Sequence, residues 1–174
     1  MKLLRLPILI LLMPLFASSQ SAPKDSWAGW SFLLGEWTAG DSSGEPGKAS
    51  KGSFSLAPDL GGSVLVRKNH AEYPPSAGRP AIVHDDLMVI YHEADLTKAL
   101  YNDNEGHVIR YVVTFTSDKK RIIFLSEKSE GSPQYRLTYE DVRPGTAKVL
   151  FEVAAPDNPG KFTKYVEAIV RRND

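Results

Sequence analysis

The stretch "YRLTYEDVRPGTAKVLFEV" (Tyr135–Val153) decides the fold class. Tyr135, Leu137 and Tyr139 alternate with Arg136, Thr138 and Glu140. Past "RPG" (143–145), Ala147, Val149, Phe151 and Val153 alternate with Lys148 and Glu152. Successive side chains of a strand point to opposite faces, so strict period two on both sides of a Pro-Gly turn predicts a hairpin with one buried face.

The same pattern extends outward in both directions. Strands are expected over 36–41, 48–56, 62–72, 84–92, 96–103, 107–116, 120–128, 133–141, 146–154 and 162–172. In 107–116, Ile109, Tyr111, Val113 and Phe115 share a face, which Tyr101 of the preceding strand is expected to join as the lining of a cavity. The separators ("DSSGEPG", "APDLGG", "EYPPSAGRP", "EADL", "DNEG", "TSDK", "SEGS", "RPG", "PDNPG") are rich in Gly, Pro, Asp and Asn. Parallel neighbours need crossovers of a dozen or more residues, so these short links predict antiparallel pairing. A long sheet with a single apolar face must curl and close or fold over as a sandwich, and closure removes its edges. The expected architecture is all-β: an antiparallel up-and-down closed barrel of about ten strands, wide enough for a small ligand.

Ahead of the strands, "SWAGWSFLLGEW" (Ser26–Trp37) holds all three tryptophans. Trp27, Trp30, Leu33 and Leu34 recur at helical spacing, predicting a short helix stopped by Gly35 that plugs one barrel end. Further upstream, the basic Lys2 and Arg5, the apolar "LPILILLMPLF" and the small residues Ala17-Ser18-Ser19 form a secretory signal peptide, residues 1–19. Residues 20–25 are then a mobile lead-in and 26–174 the barrel domain, exported to the periplasm or beyond, with no membrane span once the signal is removed. The mature chain would carry 19 basic and 21 acidic residues, which argues against nucleic-acid binding. It contains no Cys, which excludes thiolate metal sites, thiol catalysis and covalent c-type haem.

Two short motifs carry no reaction. "GDSSG" (Gly40–Gly44) has the letters of a nucleophile elbow, but a strand follows it where the elbow needs a helix. His92-Glu93 lacks the second His of a zinc helix.

The polar residues gather around one loop, in "VRKNHAEYPPSAGRPAIVHDDLMVIY" (Val66–Tyr91). If the strands flanking loop 73–83 pair with Glu72 opposite His84, then His70 faces Asp86, and all four groups meet at one end. Asp103 and His107 flank the "DNEG" turn, which lies at the same end in a sequential barrel. The expected ligand-contacting set is Arg67, Asn69, His70, Glu72, His84, Asp86, Tyr91, Tyr101, Asp103, His107 and Tyr111. Its members also admit plainer readings: solvated His–carboxylate pairs at the rim, and Arg67 or Arg110 pointing to solvent. No metal or other cofactor is expected, since the His/carboxylate spacing matches no diagnostic site.

A family resemblance adds to this reading. "FLLGEW" (Phe32–Trp37) resembles the G-x-W opening of lipocalin-like barrels. "LLGEW…GGSVLVRKNHAEYP…HDDLMVIY…ALYNDNEGHVIRY" is similar to uncharacterised exported bacterial proteins with a lipocalin-like domain, and more distantly to nitrobindin and fatty-acid-binding barrels. The resemblance implies a calycin-type barrel in which a basic residue of the last strand, Arg172, packs over Trp37. It also implies a small apolar or amphipathic ligand, held in fatty-acid carriers by an interior Arg–Tyr set. Haem binding of the nitrobindin kind is disfavoured, because that axial His lies late in the chain and all four histidines here fall between 70 and 107. A hydrolase or isomerase built on the His/carboxylate rim, and a structural envelope module, stay open as other readings.

Overall fold

The computed structural model describes residues 26–39, 51–75, 78 and 80–173. The expected signal segment, the lead-in and the "GDSSG" motif lie outside them. Ten strands follow one another: β1 (Gly35–Ala39), β2 (Lys51–Asp59), β3 (Val64–Tyr73), β4 (Ile82–Glu93), β5 (Leu96–Asp103), β6 (Val108–Phe115), β7 (Arg121–Ser126), β8 (Gln134–Arg143), β9 (Thr146–Ala154) and β10 (Thr163–Arg172). Each pairs antiparallel with its neighbours in sequence, and β1 pairs with β10, so the sheet closes as the alternating pattern predicts.

Closure rests on a specific register. Trp37 stands opposite Arg172 and Ala39 opposite Val170, and the Asn173 N–H donates to the Glu36 carbonyl at 2.8 Å. Gly35 enters β1 at φ +118°, a backbone conformation that side chains disfavour, which accounts for the glycine of G-x-W.

The expected two-turn helix is instead a single 3₁₀ turn, Ala28–Trp30. Its bonds span three residues: Trp30 N–H to the Trp27 carbonyl at 2.9 Å and Leu33 N–H to the Trp30 carbonyl at 2.8 Å. So short a segment ahead of Gly35 cannot repay α-helix nucleation, whereas burying Trp30 and Leu33 is worth about 2–3 kcal/mol each. Trp30 meets Phe115 and Phe124 edge to face. Trp27 stacks on His92 at 4.3 Å and donates its indole N–H to the Gly62 carbonyl at 2.8 Å. These contacts set the turn against the end of the barrel where β4 and β6 finish. β3, β5, β7 and β9 finish at the opposite, loop end.

The inward face carries the core: Phe54, Leu56, Leu65, Met88, Ile90, Ile122, Phe124 and Tyr139 are all buried. The shared face expected for Tyr101, Ile109, Tyr111 and Val113 is present; Tyr111 and Val113 are buried and the other two pack against the core. Among the described residues no helix is long and apolar enough to cross a membrane.

Candidate functional site

The β3–β4 hairpin differs from its expected register by one residue. Ala71, not Glu72, stands opposite His84; Asn69 faces Asp86; His70 faces Asp85; Glu72 faces Val83. A one-residue slip moves a whole set of side chains to the other face. His84 and Asp86 therefore point into the barrel, and His70 and Glu72 point out. The four do not form one cluster. Asn104 of the β5–β6 turn ties that turn to β4: its side-chain amide donates to the Val83 carbonyl at 3.0 Å and its oxygen accepts from the Asp85 N–H at 3.1 Å.

Paired residues run as tilted rows across the inner wall. Trp37, Phe54, Asn69, Asp86 and Asp103 face one another across β1 to β5. Leu56, Arg67, Met88, Tyr101 and Ile109 form the adjacent row across β2 to β6. Arg67 and Asp86 are thus diagonal neighbours, and Arg67 Nη1 donates to Asp86 Oδ1 in an ion pair whose side chains are only 8% and 4% exposed. The guanidinium carbon also lies 5.4 Å from the Phe54 ring centre and 5.9 Å from that of Tyr139. Burial opposes the Arg67 charge, but Tyr139 and the Asp86 carboxylate outweigh it and hold the group protonated.

Such a pair costs several kcal/mol of desolvation per ion and repays it only when its hydrogen-bonding groups are satisfied. Two groups here are not. Arg67 Nε and the Tyr139 hydroxyl are buried and have no hydrogen-bond partner. Burial and the neighbouring Asp86 raise the Tyr139 hydroxyl to a pKa of about 12, against the Arg67 charge and a hydrogen-bonding approach of the Arg67 side chain, so it stays protonated with its own O–H free to donate.

Towards the loop end the polar groups form a chain. His84 Nε2 lies 3.1 Å from the Tyr101 hydroxyl and 3.5 Å from Asp86 Oδ2, and His84 Nδ1 lies 2.9 Å from Glu105 Oε1. The Tyr101 hydroxyl donates to Asp103 Oδ2 at 3.1 Å, and His107 Nδ1 approaches the same oxygen at 2.8 Å. The Asp86 carboxylate, opposed by burial and aided by Glu105, raises the His84 pKa to about 9. Burial would lift the Asp103 carboxyl, but the backbone N–H and ring of His107 and the Tyr101 hydroxyl bring it below the usual range. Burial pushes both Tyr101 and Tyr111 well above the ordinary phenol range.

The other half of the loop end is aromatic. Tyr135 stacks on Phe151 at 5.9 Å, and Tyr165 meets the edge of Phe151 at 6.0 Å. Tyr165 lies in a bulge of β10 between Lys164 and Val166 and is 75% exposed.

Of the expected set, Arg67, Asn69, His84, Asp86, Tyr101, Asp103 and Tyr111 share the inner wall, with His107 exposed beside Asp103. Tyr91, opposite Val64 and Lys98, belongs to the outer face. So do His70, paired with Asp85 at 2.7 Å, and Glu72, 3.4 Å from Lys51. An open groove crosses that outer face beside Ser53, Ser55, Lys68 and Leu87. Arg110 is exposed and solvent-facing. The expected ligand-contacting set leaves out Tyr139 and Glu105. The alternation of 135–139 had already set Tyr139 on a buried face, and that was the available signal. Among the described residues no group of three or more His, Asp or Glu side chains is placed to hold a metal ion.

Compared with known proteins, the chain matches no family model and no curated sequence. The closed ten-strand antiparallel barrel is consistent with a lipocalin or calycin-type fold.

Proposed function

We propose that this chain is an exported lipocalin-like barrel that binds a small amphipathic molecule inside its loop-end half. The ligand's polar group would reach the Arg67–Tyr139 layer, and its apolar body would lie along Tyr111, Ile109, Tyr135 and Phe151. The observation that carries this reading is the pair of unpartnered buried polar atoms on Arg67 and Tyr139. Buried donors are almost always satisfied, and each one left unmade costs about 1–3 kcal/mol. A bound molecule with an acceptor atom would remove that cost. Native mass spectrometry of the protein purified from its own host tests the reading: a retained small molecule, lost in Arg67→Met, is the expected result. A bare polypeptide mass, together with no change in interior tyrosine signals on titration with amphiphiles, counts against it.

A second reading uses the His84–Tyr101–Asp103–His107 chain for acid–base catalysis in a hydrolase or isomerase. The continuous hydrogen bonding favours it. Turnover separates the two, since both place the ligand in the same space.

A further inference from the structure

The ionic state of the inner wall bears on the charge of what it takes up. Arg67 is the deepest cation of the site and would be the natural partner of a carboxylate. Its charge is already compensated by Asp86, through a direct contact shielded from water on both sides. Around this pair, the cations Arg67 and His84 face three carboxylates, Asp86, Asp103 and Glu105, with the His107 ring 2.8 Å from Asp103 at the outer edge. A ligand carboxylate brought to Arg67 would add a fourth negative charge in a low-dielectric space, beside an acid that already occupies the guanidinium. Like charges at such range oppose one another strongly.

The unpartnered donors point the same way. Arg67 Nε–H and the Tyr139 hydroxyl can each give one hydrogen bond. An acceptor oxygen with two lone pairs can take both without bringing charge. A carbonyl oxygen has that valence.

We propose that the barrel selects an uncharged carbonyl compound with an apolar tail, such as a ketone, ester or amide, over the carboxylate of the same chain length. This rests on the ligand-binding reading above and adds the ligand's charge class. Asp86 is then the specificity determinant: it neutralises Arg67 and rejects anions, while Arg67 Nε and Tyr139 hold the carbonyl oxygen. Selection by an occupied counter-ion is discrimination through a cost imposed on the wrong ligand.

The test uses a matched pair, 2-decanone and decanoate, each titrated into the purified protein at pH 7.5 while displacing the neutral dye Nile red. The ketone should bind at least tenfold more tightly than the carboxylate. Its isotope-edited carbonyl stretch should move to lower frequency on binding, and Tyr139→Phe should reverse part of that movement. Asp86→Asn uncovers the guanidinium and should invert the preference towards decanoate. Tighter decanoate binding by the wild-type protein overturns the proposal and leaves the ligand-binding reading standing. So does an unchanged ratio in a folded Asp86→Asn protein. If that variant does not fold, the wild-type ratio and the Tyr139→Phe spectrum decide. Dye and probes that bind neither the wild-type protein nor the variants overturn both.

Discussion

Arg172, at the end of β10, stands over Trp37 of β1, its guanidinium carbon 5.0 Å from the indole centre and its backbone directly opposite in register. The same guanidinium donates to the Ser31 and Phe32 carbonyls, while the Trp37 indole N–H donates to the Leu33 carbonyl at 2.8 Å. One contact therefore ties the last strand, the first strand and the segment entering the barrel.

Trp37→Ala should destabilise the barrel by about 3–5 kcal/mol, because it deletes a core aromatic and leaves a cavity against Phe54. Arg172→Ala should cost less, about 0.5–2 kcal/mol, since the side chain is exposed and both its cation–π contact and its bonds to the Ser31 and Phe32 carbonyls are partly replaced by water. Urea denaturation of both variants checks the order. A Trp37→Ala protein with the wild-type midpoint would contradict this view of barrel closure.

Arg67 and Asp86 should be strongly coupled. Arg67→Met leaves the buried Asp86 carboxylate with only the longer His84 contact, 3.5 Å, and is expected to cost about 3–5 kcal/mol. Replacing both, as Arg67→Met with Asp86→Leu, removes the desolvation cost along with the pair. The double variant should recover most of the loss, or exceed the wild type by about 1–4 kcal/mol. A double-mutant cycle measured by thermal unfolding would show this as non-additivity; additive losses would mean that the pair does not interact.

The pH response should centre on His84. Its folded pKa is raised to about 9, by the Asp86 carboxylate first and by Glu105. Below about pH 6.5 the imidazole is protonated in both states and its stabilisation is fully present. Between about 6.5 and 9 the unfolded chain loses the proton while the folded one keeps it, so stability falls. Allowing for solvent screening of a ring that is 23% exposed, the loss should be about 2 kcal/mol. His70, raised by Asp85 and then Glu72, contributes in the same direction from the outer surface. His84→Gln should flatten most of the decline in Tm across this window and His70→Gln little of it. Equal effects would show that the inward placement of His84 has no energetic consequence.

The extent to which the chain is readable from its letters differs between its two halves. In β8 and β9 one face is mostly polar, Arg136, Thr138 and Glu140 in β8 and Lys148 and Glu152 about the lone Leu150 in β9, so the fold and the facing could both be read. In β4 both faces are apolar: Met88 and Ile90 alternate with Leu87, Val89 and Tyr91. Period two then fixes the strand but not its side, and loop 74–81 offers no short turn to set the register. That one ambiguity split the expected four-residue cluster between the inside and the outside. Arg67 was ambiguous because buried guanidinium groups are rare, and only the inward placement of its partner, Asp86, explains its position. The shared loop end of β3–β4 and β5–β6, by contrast, followed from sequential pairing and is seen in the Asn104 and Glu105 contacts.

Tyr139 provides the sharpest separation of stability from binding. Its ring packs between Phe54 and Phe124, at 5.5 and 6.0 Å between centres, and that packing is retained in phenylalanine. Only the hydroxyl is lost, and it is buried without a hydrogen-bond partner within the protein. Removing an unsatisfied buried hydroxyl should stabilise the free protein by about 1–2 kcal/mol. The same hydroxyl would hold the ligand oxygen, so Tyr139→Phe should bind the retained molecule more weakly even as its Tm rises. Thermal unfolding without ligand, followed by the ligand-induced Tm shift, measures both. A buried water bonded to the hydroxyl predicts the opposite sign for stability: Tyr139→Phe would then melt below the wild type, and the hydroxyl would be a structural group and not a binding one.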